Sequence, residues 1–113
     1  MNCVNDLNFN EKIKVLFQIM IAIQYLHNKN FVYRDLKPNN VIIDQNKIAV
    51  LIDFDRMIKI TEKNVEDENF SKTFTEYTAP EVNYGEICYE SDIYSIGMMI
   101  SFLFQEELKN PSK

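Results

Sequence analysis

Two stretches of this chain are apolar around almost the whole circumference of a helix, and two such helices need more protein to cover them than 113 residues supply. In the first, Ile13, Leu16, Phe17, Met20, Ile23, Gln24 and His27 form one stripe. Val15, Ile19, Ile21, Ala22 and Leu26 fill most of the other side. Such a helix is expected to be central, packed on several sides. Asn8, three residues before Glu11, marks its start, because a capping amide and a carboxylate at that spacing satisfy each other's exposed N–H groups. Its end is expected near Asn28-Lys29-Asn30. The second helix is expected from Ser91 or Asp92 to about Glu107. The chain therefore reads as a piece of a larger core.

Charge and cysteine content remove several function classes. Twelve basic residues scattered among 17 acidic ones, for a net charge of −5, lack the clustered Lys and Arg that nucleic acid or an anionic membrane requires. The longest apolar tract, Ile93 to Phe104, is broken by Ser95 and Ser101 and falls short of the about 20 residues that span a bilayer. No signal peptide is readable in Met1 to Asn10. Cys3 and Cys88 are too few for a disulfide framework or a metal knuckle, and a cytoplasmic location is expected. The length supports one core, not two.

Between the helices, Val41 to Ile43 and Ile48 to Ile52 are rich in β-branched residues and flank Asp44-Gln45-Asn46-Lys47, the pattern of a hairpin with a four-residue turn. Residues 61–72 are polar, acidic and without period, and read as a surface loop. Chemistry concentrates in Tyr33-Arg34-Asp35-Leu36-Lys37-Pro38-Asn39-Asn40, which puts a carboxylate, a lysine two residues on and an amide five residues on between a helix and a hairpin. On its own that spacing equally fits a polar loop capping its own turns. Asp53 adds weight to the functional reading: a hairpin returns the chain, so the end of its second strand lies near Asn40 at the start of its first. Two oxygen donors then converge, a set suited to Mg²⁺, which completes its shell with water and phosphate.

With these residues in view, nearly the whole chain resembles the large lobe of a eukaryotic protein kinase of the Ser/Thr type. Tyr25-Leu26-His27 resembles the end of the family's central helix, Tyr33 to Asn40 its catalytic loop, and Asp53-Phe54-Asp55 its Asp-Phe-Gly triplet. Thr78-Ala79-Pro80-Glu81 resembles the end of the activation segment, and Ser91 to Gly97 the start of the next buried helix. The resemblance implies an α+β, mainly helical fold: a partial kinase domain over residues 1–113 with central helix, catalytic loop, β-hairpin, activation segment and second buried helix. It also implies ATP and Mg²⁺ as cofactors and a protein substrate. Asp35 would be the catalytic base, Lys37 a contact to the transferred phosphate, and Asn40 and Asp53 the Mg²⁺ ligands. Ile42 would sit under the adenine. Asp92 would hold the catalytic-loop backbone from below, and Glu81 would pair with an arginine beyond these residues. His27 reads as a packed helix-end residue, Met98 and Met99 as core, and Cys88 as chemically idle.

The match departs from the family at Asp55, at Thr73-Phe74 where the family carries Gly-Thr, and in the expected absence of the small lobe and the C-terminal helices. Asp55 replaces the glycine of the triplet, where φ > 0 is expected, and adds a third negative charge beside the metal. No Gly-rich phosphate loop or its following lysine strand precedes residue 8, so the expectation is a fragment without its small lobe, inactive in isolation, with a missing lobe or partner chain covering the exposed core. The alternative is a non-catalytic pseudokinase remnant acting as an interaction module. Regulation is expected at Arg34, as captor of a phosphate on Ser71, Thr73 or Thr75, with Ser71 favoured, or of the acidic Glu66, Asp67 or Glu68 in its place.

Overall fold

The computed structural model describes residues 4–61, 75–84 and 87–109. A single 3₁₀ turn, Val4–Asp6, leads into helix α1 (Phe9–Asn28). The capping box forms as its spacing predicts: Asn8 Oδ1 accepts from Glu11 N at 2.8 Å, and Glu11 Oε1 accepts from Asn8 N at 2.9 Å.

Within the described residues α1 is covered along one side, as expected of a piece of a larger core. Lys12, Val15, Ile19 and Ile23 are buried, one stripe at helical spacing. Phe17 is 63% exposed, and Ile13, Met20, Ile21 and Tyr25 are exposed with it. Strands Phe31–Val32 and Ala49–Leu51 and the second helix pack on α1, whose Val15, Ile19 and Ile23 belong to the core, so the described residues bury only that side of the helix.

Strands β2 (Val41–Ile43) and β3 (Ala49–Leu51) pair antiparallel, Val41 opposite Leu51 and Ile43 opposite Ala49. Asp44 shapes the turn between them, its Oδ1 accepting from Asn46 N at 2.8 Å and Ile48 N at 3.0 Å, while Lys47 takes φ 63°. Gln18 Oε1 accepts from Ala49 N at 2.7 Å and ties the hairpin to α1. A second sheet was not expected from the sequence: β1 (Phe31–Val32) pairs with β4 (Ile58–Lys59), and Ile60 N donates to the Asn30 carbonyl at 2.7 Å. Strands of two residues are too short to show a period.

The C-terminal helix differs from the single span expected to Glu107. Helix α2 (Glu90–Leu103) stops at Phe104, and α3 (Gln105–Lys109) follows. The bend turns Phe104 into the core, edge-on to Phe9 at 5.6 Å, and brings Glu107 to Lys12 Nζ at 2.8 Å. Met99 is fully buried and Met98 half-buried. No helix among the described residues is long and apolar enough to cross a membrane. The loop expected over 61–72 lies, after Thr61, outside the described residues.

Candidate active site

Asp92 organises the loop between α1 and the hairpin. It sits fully buried in the first turn of α2, where its Oδ2 accepts from Tyr33 N at 2.9 Å and its Oδ1 from Arg34 N at 2.8 Å. His27 Nε2, at the end of α1, lies 2.8 Å from the same Oδ2, with the ring tilted against Tyr89 at 4.7 Å. Sequence reasoning missed this contact, because nothing in the local pattern links residues 65 apart. Buried carboxylates are costly unless so satisfied. The bond to Arg34 N has a further effect: Arg34 takes φ 68°, a region that costs a residue with a Cβ about 1–2 kcal/mol. Asp92 holds its backbone there, and Arg34 Nε donates to the Arg56 carbonyl at 2.7 Å.

Asp35 follows, half-buried, with Lys37 Nζ 3.7 Å from its Oδ1. Proline at position 38 starts a 3₁₀ turn, Pro38–Asn40, at no cost in lost N–H bonds, and the turn swings Asn40 back under Asp35. Asn40 Nδ2 donates to the Asp35 carbonyl at 2.7 Å. That commits the amide nitrogen and leaves the amide oxygen as the group Asn40 offers a cation.

The hairpin register decides what lies beside Asn40. Its carbonyl accepts from Ile52 N at 2.9 Å, so Asp53 is the next residue along the neighbouring strand end. Asp53 is exposed at φ 62°, and its Oδ1 accepts from Asp55 N at 3.3 Å. One amide oxygen and one carboxylate at the open end of a hairpin fit a hard cation such as Mg²⁺, which binds through few protein oxygens and keeps water or phosphate in its remaining positions. No group of three or more His, Cys, Asp or Glu that would make an all-protein cage occurs among the described residues. The expected need for φ > 0 at Asp55 is corrected: the left-handed residue of the triplet is Asp53, and Asp55 is not among the positive-φ residues.

Tyr33 joins the two halves. Its buried side chain donates through the hydroxyl to the Ile52 carbonyl, and its ring lies 5.5 Å from that of Phe54. Burial first, then the carboxylates of Asp35, Asp53 and Asp92, push the phenol far above its ordinary value, so it remains a donor at any physiological pH. A tyrosine two residues before the loop carboxylate was the available signal for this bridge.

The other expected residues are dispersed. Ile42 is 50% exposed on the outer face of β2, across from the exposed Val50. Glu81 is half-buried, its Oε1 3.5 Å from Ser91 Oγ and 3.8 Å from the Cys88 thiol. Thr75 Oγ1 pairs with Thr78 Oγ1 at 2.7 Å. Ser71, Thr73, Glu66, Asp67 and Glu68 lie outside the described residues. Beside Lys37 opens a cavity of about 630 Å³ between the catalytic loop, residues Thr75 to Tyr77 and Phe102 of α2. Tyr77 is fixed at its edge by Ser95 Oγ, which donates to its carbonyl at 2.6 Å.

The family model described as "Protein kinase domain" matches residues 5–112. The chain belongs to the protein kinase family. Its mostly helical architecture with two small sheets is that of part of the kinase large lobe. It is similar to the tyrosine-protein kinase Src64B of Drosophila melanogaster, 31% identical over 99 residues that make up 87% of this chain and 18% of that protein. A probable serine/threonine-protein kinase MRK1 homolog of Encephalitozoon cuniculi is 35% identical over 96 residues, 80% of this chain and 29% of the relative. Serine/threonine-protein kinase 1 of African swine fever virus (isolate Tick/Malawi/Lil 20-1/1983) is 33% identical over 104 residues, 89% and 34%. The chain thus spans between about a fifth and a third of the length of these relatives.

Proposed function

We propose that this chain carries the catalytic-loop half of a protein Ser/Thr kinase, directing ATP- and Mg²⁺-dependent phosphoryl transfer to protein hydroxyls, with residues 1–113 forming part of one kinase domain. The observation that carries this reading is the double anchoring of the loop. Asp92 holds its start, and the hairpin sets Asn40 next to the strand end that bears Asp53. Phosphoryl transfer is mostly positioning and electrostatics, and this scaffold supplies positions.

Asp35 accepts the proton of the acceptor hydroxyl. Lys37, 3.7 Å from it, meets the phosphate in transit. Asn40 and Asp53 hold the metal, and the exposed Ile42 offers an apolar surface to the adenine. When bound, Mg²⁺ neutralises phosphate charge and ATP provides the group transferred. The relatives bear the names of both tyrosine and serine/threonine kinases, so the Ser/Thr reading rests on Lys37, two residues after Asp35, while Lys37 and the Ala79-Pro80-Glu81 segment favour a protein over a small-molecule substrate. Arg34 is proposed as the captor of a phosphate on Ser71, with Thr73 and Thr75 as further acceptors. The exposed apolar side of α1 gives a small lobe or a partner chain a surface to pack on. The free thiol of Cys88 suits a cytoplasmic setting.

A non-catalytic reading draws on one observation: Asp55 puts a further carboxylate beside Asp53, where glycine would leave the metal end less negative. Titration calorimetry with Mg²⁺–ATP separates the two. The catalytic reading expects binding that is weakened by Asp53→Asn and strengthened by Asp55→Gly. An absence of binding in both the unmodified chain and Asp55→Gly favours the interaction module. Without a Gly-rich loop among its residues, the 113-residue polypeptide alone is expected to show no appreciable phosphorylation of a generic Ser/Thr substrate.

A further inference from the structure

The open side of α1 is large enough to pair with a second copy of itself. Phe9, Ile13, Phe17, Met20, Ile21 and Tyr25 are each 45–63% exposed on the side of the helix away from the core. Their exposures together equal about three whole residues, and large side chains present roughly 150–250 Å² each, so this side offers on the order of 600 Å². Two copies paired there remove on the order of 1,200 Å² from water, the lower end of what a specific protein interface buries. That area fits a weak, reversible dimer.

Charge does not oppose the pairing. Lys12 is turned to Glu107 in the core and Glu11 closes the capping box, which leaves Lys14 as the one charge of α1 on its open side. The seam along the middle of that side runs Asn10, Lys14, Phe17, Ile21, Gln24 and Asn28, spaced alternately by four and three residues as in helices that pair side by side. Amides lie at its two ends and apolar groups at its centre, an order that complements itself when one helix is turned end for end. Antiparallel pairing sets Asn10 against Asn28 of the second copy and Phe17 against its Ile21, and two-fold symmetry repeats both contacts. It also sets Lys14 beside the second copy's Tyr25, a ring that already lies under a cation, with Lys29 Nζ of its own chain 5.7 Å from the centroid. In a parallel pair both Lys14 side chains stand at the same end and repel.

We infer that this chain forms an antiparallel homodimer in which the Phe17–Ile21 stripe of α1 is covered by the same stripe of a second copy. The interface is isologous, so it closes at two. The inference is independent of the phosphotransfer reading, since it uses none of the proposed site residues.

The test is sedimentation equilibrium of the 113-residue chain over about 1–200 µM, where a dimer with a dissociation constant on the order of 10–100 µM is expected. Phe17→Glu should weaken it at least about tenfold, because the carboxylate is buried against Ile21 without a partner. Ile93→Glu, on the exposed side of α2, should leave it unchanged. Thermal melts at about 1 µM, where single copies prevail, show whether each variant is folded. The register is tested by exchanging charge. Tyr25→Lys sets a second cation beside Lys14 and should weaken the dimer about tenfold, and adding Lys14→Glu should restore most of that loss. Positions 14 and 25 lie about 16 Å apart along one helix, so they meet only across an antiparallel pair. If Phe17→Glu proves unfolded in its melt, this exchange decides the question. A chain that stays monomeric to about 200 µM overturns the proposal and returns that side to the small lobe. Association past two copies, a folded Phe17→Glu variant that dimerises like the unmodified chain, or a double variant with no recovery overturns it as well.

Discussion

The catalytic loop and the turn at Asp53 lie at neighbouring ends of one hairpin, yet they are held in opposite ways. Tyr33 and Arg34 have their amides on a fully buried carboxylate, and Leu36 is buried in the core. Asp53, Phe54 and Asp55 are exposed, and the Asp53 carboxylate is steadied by one long bond of 3.3 Å from Asp55 N. The loop that bears the proposed base is thus built into the fold, whereas Asp53, the proposed carboxylate ligand, stands on its surface. Removing a support should therefore unfold the first and merely weaken a ligand at the second.

Asp92→Ala is the largest expected effect. It strands the amides of Tyr33 and Arg34, each at about 1–3 kcal/mol, against a domain stability of about 5–15 kcal/mol. A collapse of the urea midpoint is expected, and an unchanged midpoint would break the contrast between the two regions. Next comes α1, where the same contrast runs across one helix. Ile19→Ala should cost about 2–5 kcal/mol, while Phe17→Ala, on the exposed side, should stay within about 0.5 kcal/mol. Equal losses in thermal melts would mean that the Phe17 side is covered, for instance by a second copy.

At the metal end the readout is affinity. Asp53→Asn should weaken Mg²⁺–nucleotide binding about tenfold or more with little change in melting temperature, because it removes the charge of a proposed ligand from an exposed residue. Asp35→Asn should leave that affinity nearly unchanged. Identical affinities for both variants would remove the division of labour between them.

The smallest effect concerns acid. Lys12's hydrogen bond, then one from the backbone, holds the Glu107 carboxyl below its ordinary value. A depressed carboxyl contributes stability above its unfolded value that is lost as pH falls through the folded one. The junction of α1 and α3 should therefore loosen as pH falls through the lowered range of that carboxyl. Glu107→Gln should flatten that part of a melting-temperature profile, and a profile identical to the unmodified chain would discard the pair as a contributor.

What the sequence made legible was local or carried by motif. The capping box at Asn8 and Glu11, the hairpin around Asp44 and the approach of Asn40 to the Asp53 strand end are all set by short-range spacing. The buried side of α1 was not legible, because Ile13, Phe17 and Met20 are as apolar as Val15, Ile19 and Ile23, and only the rest of the fold distinguishes them. The link between His27 and Asp92 and the β1–β4 pair were hidden for a related reason: they join residues far apart in the chain through geometry that no local period records. The left-handed residue was misjudged because a missing glycine drew attention to Asp55, whereas the bend lies at Asp53.

The bond from Ile60 N to the Asn30 carbonyl, with the β1–β4 pair beside it, closes the backbone between those residues into a ring. Asp35, Lys37, Asn40 and Asp53 all lie inside it. Closing a loop of that length costs chain entropy on the order of 3 kcal/mol, incurred once for the whole ring. The backbone that carries the proposed base and metal ligands is therefore expected to lose order together when that ring opens, whatever holds each side chain, and amide exchange at Asn40 and Ile52 should follow the release of Ile60.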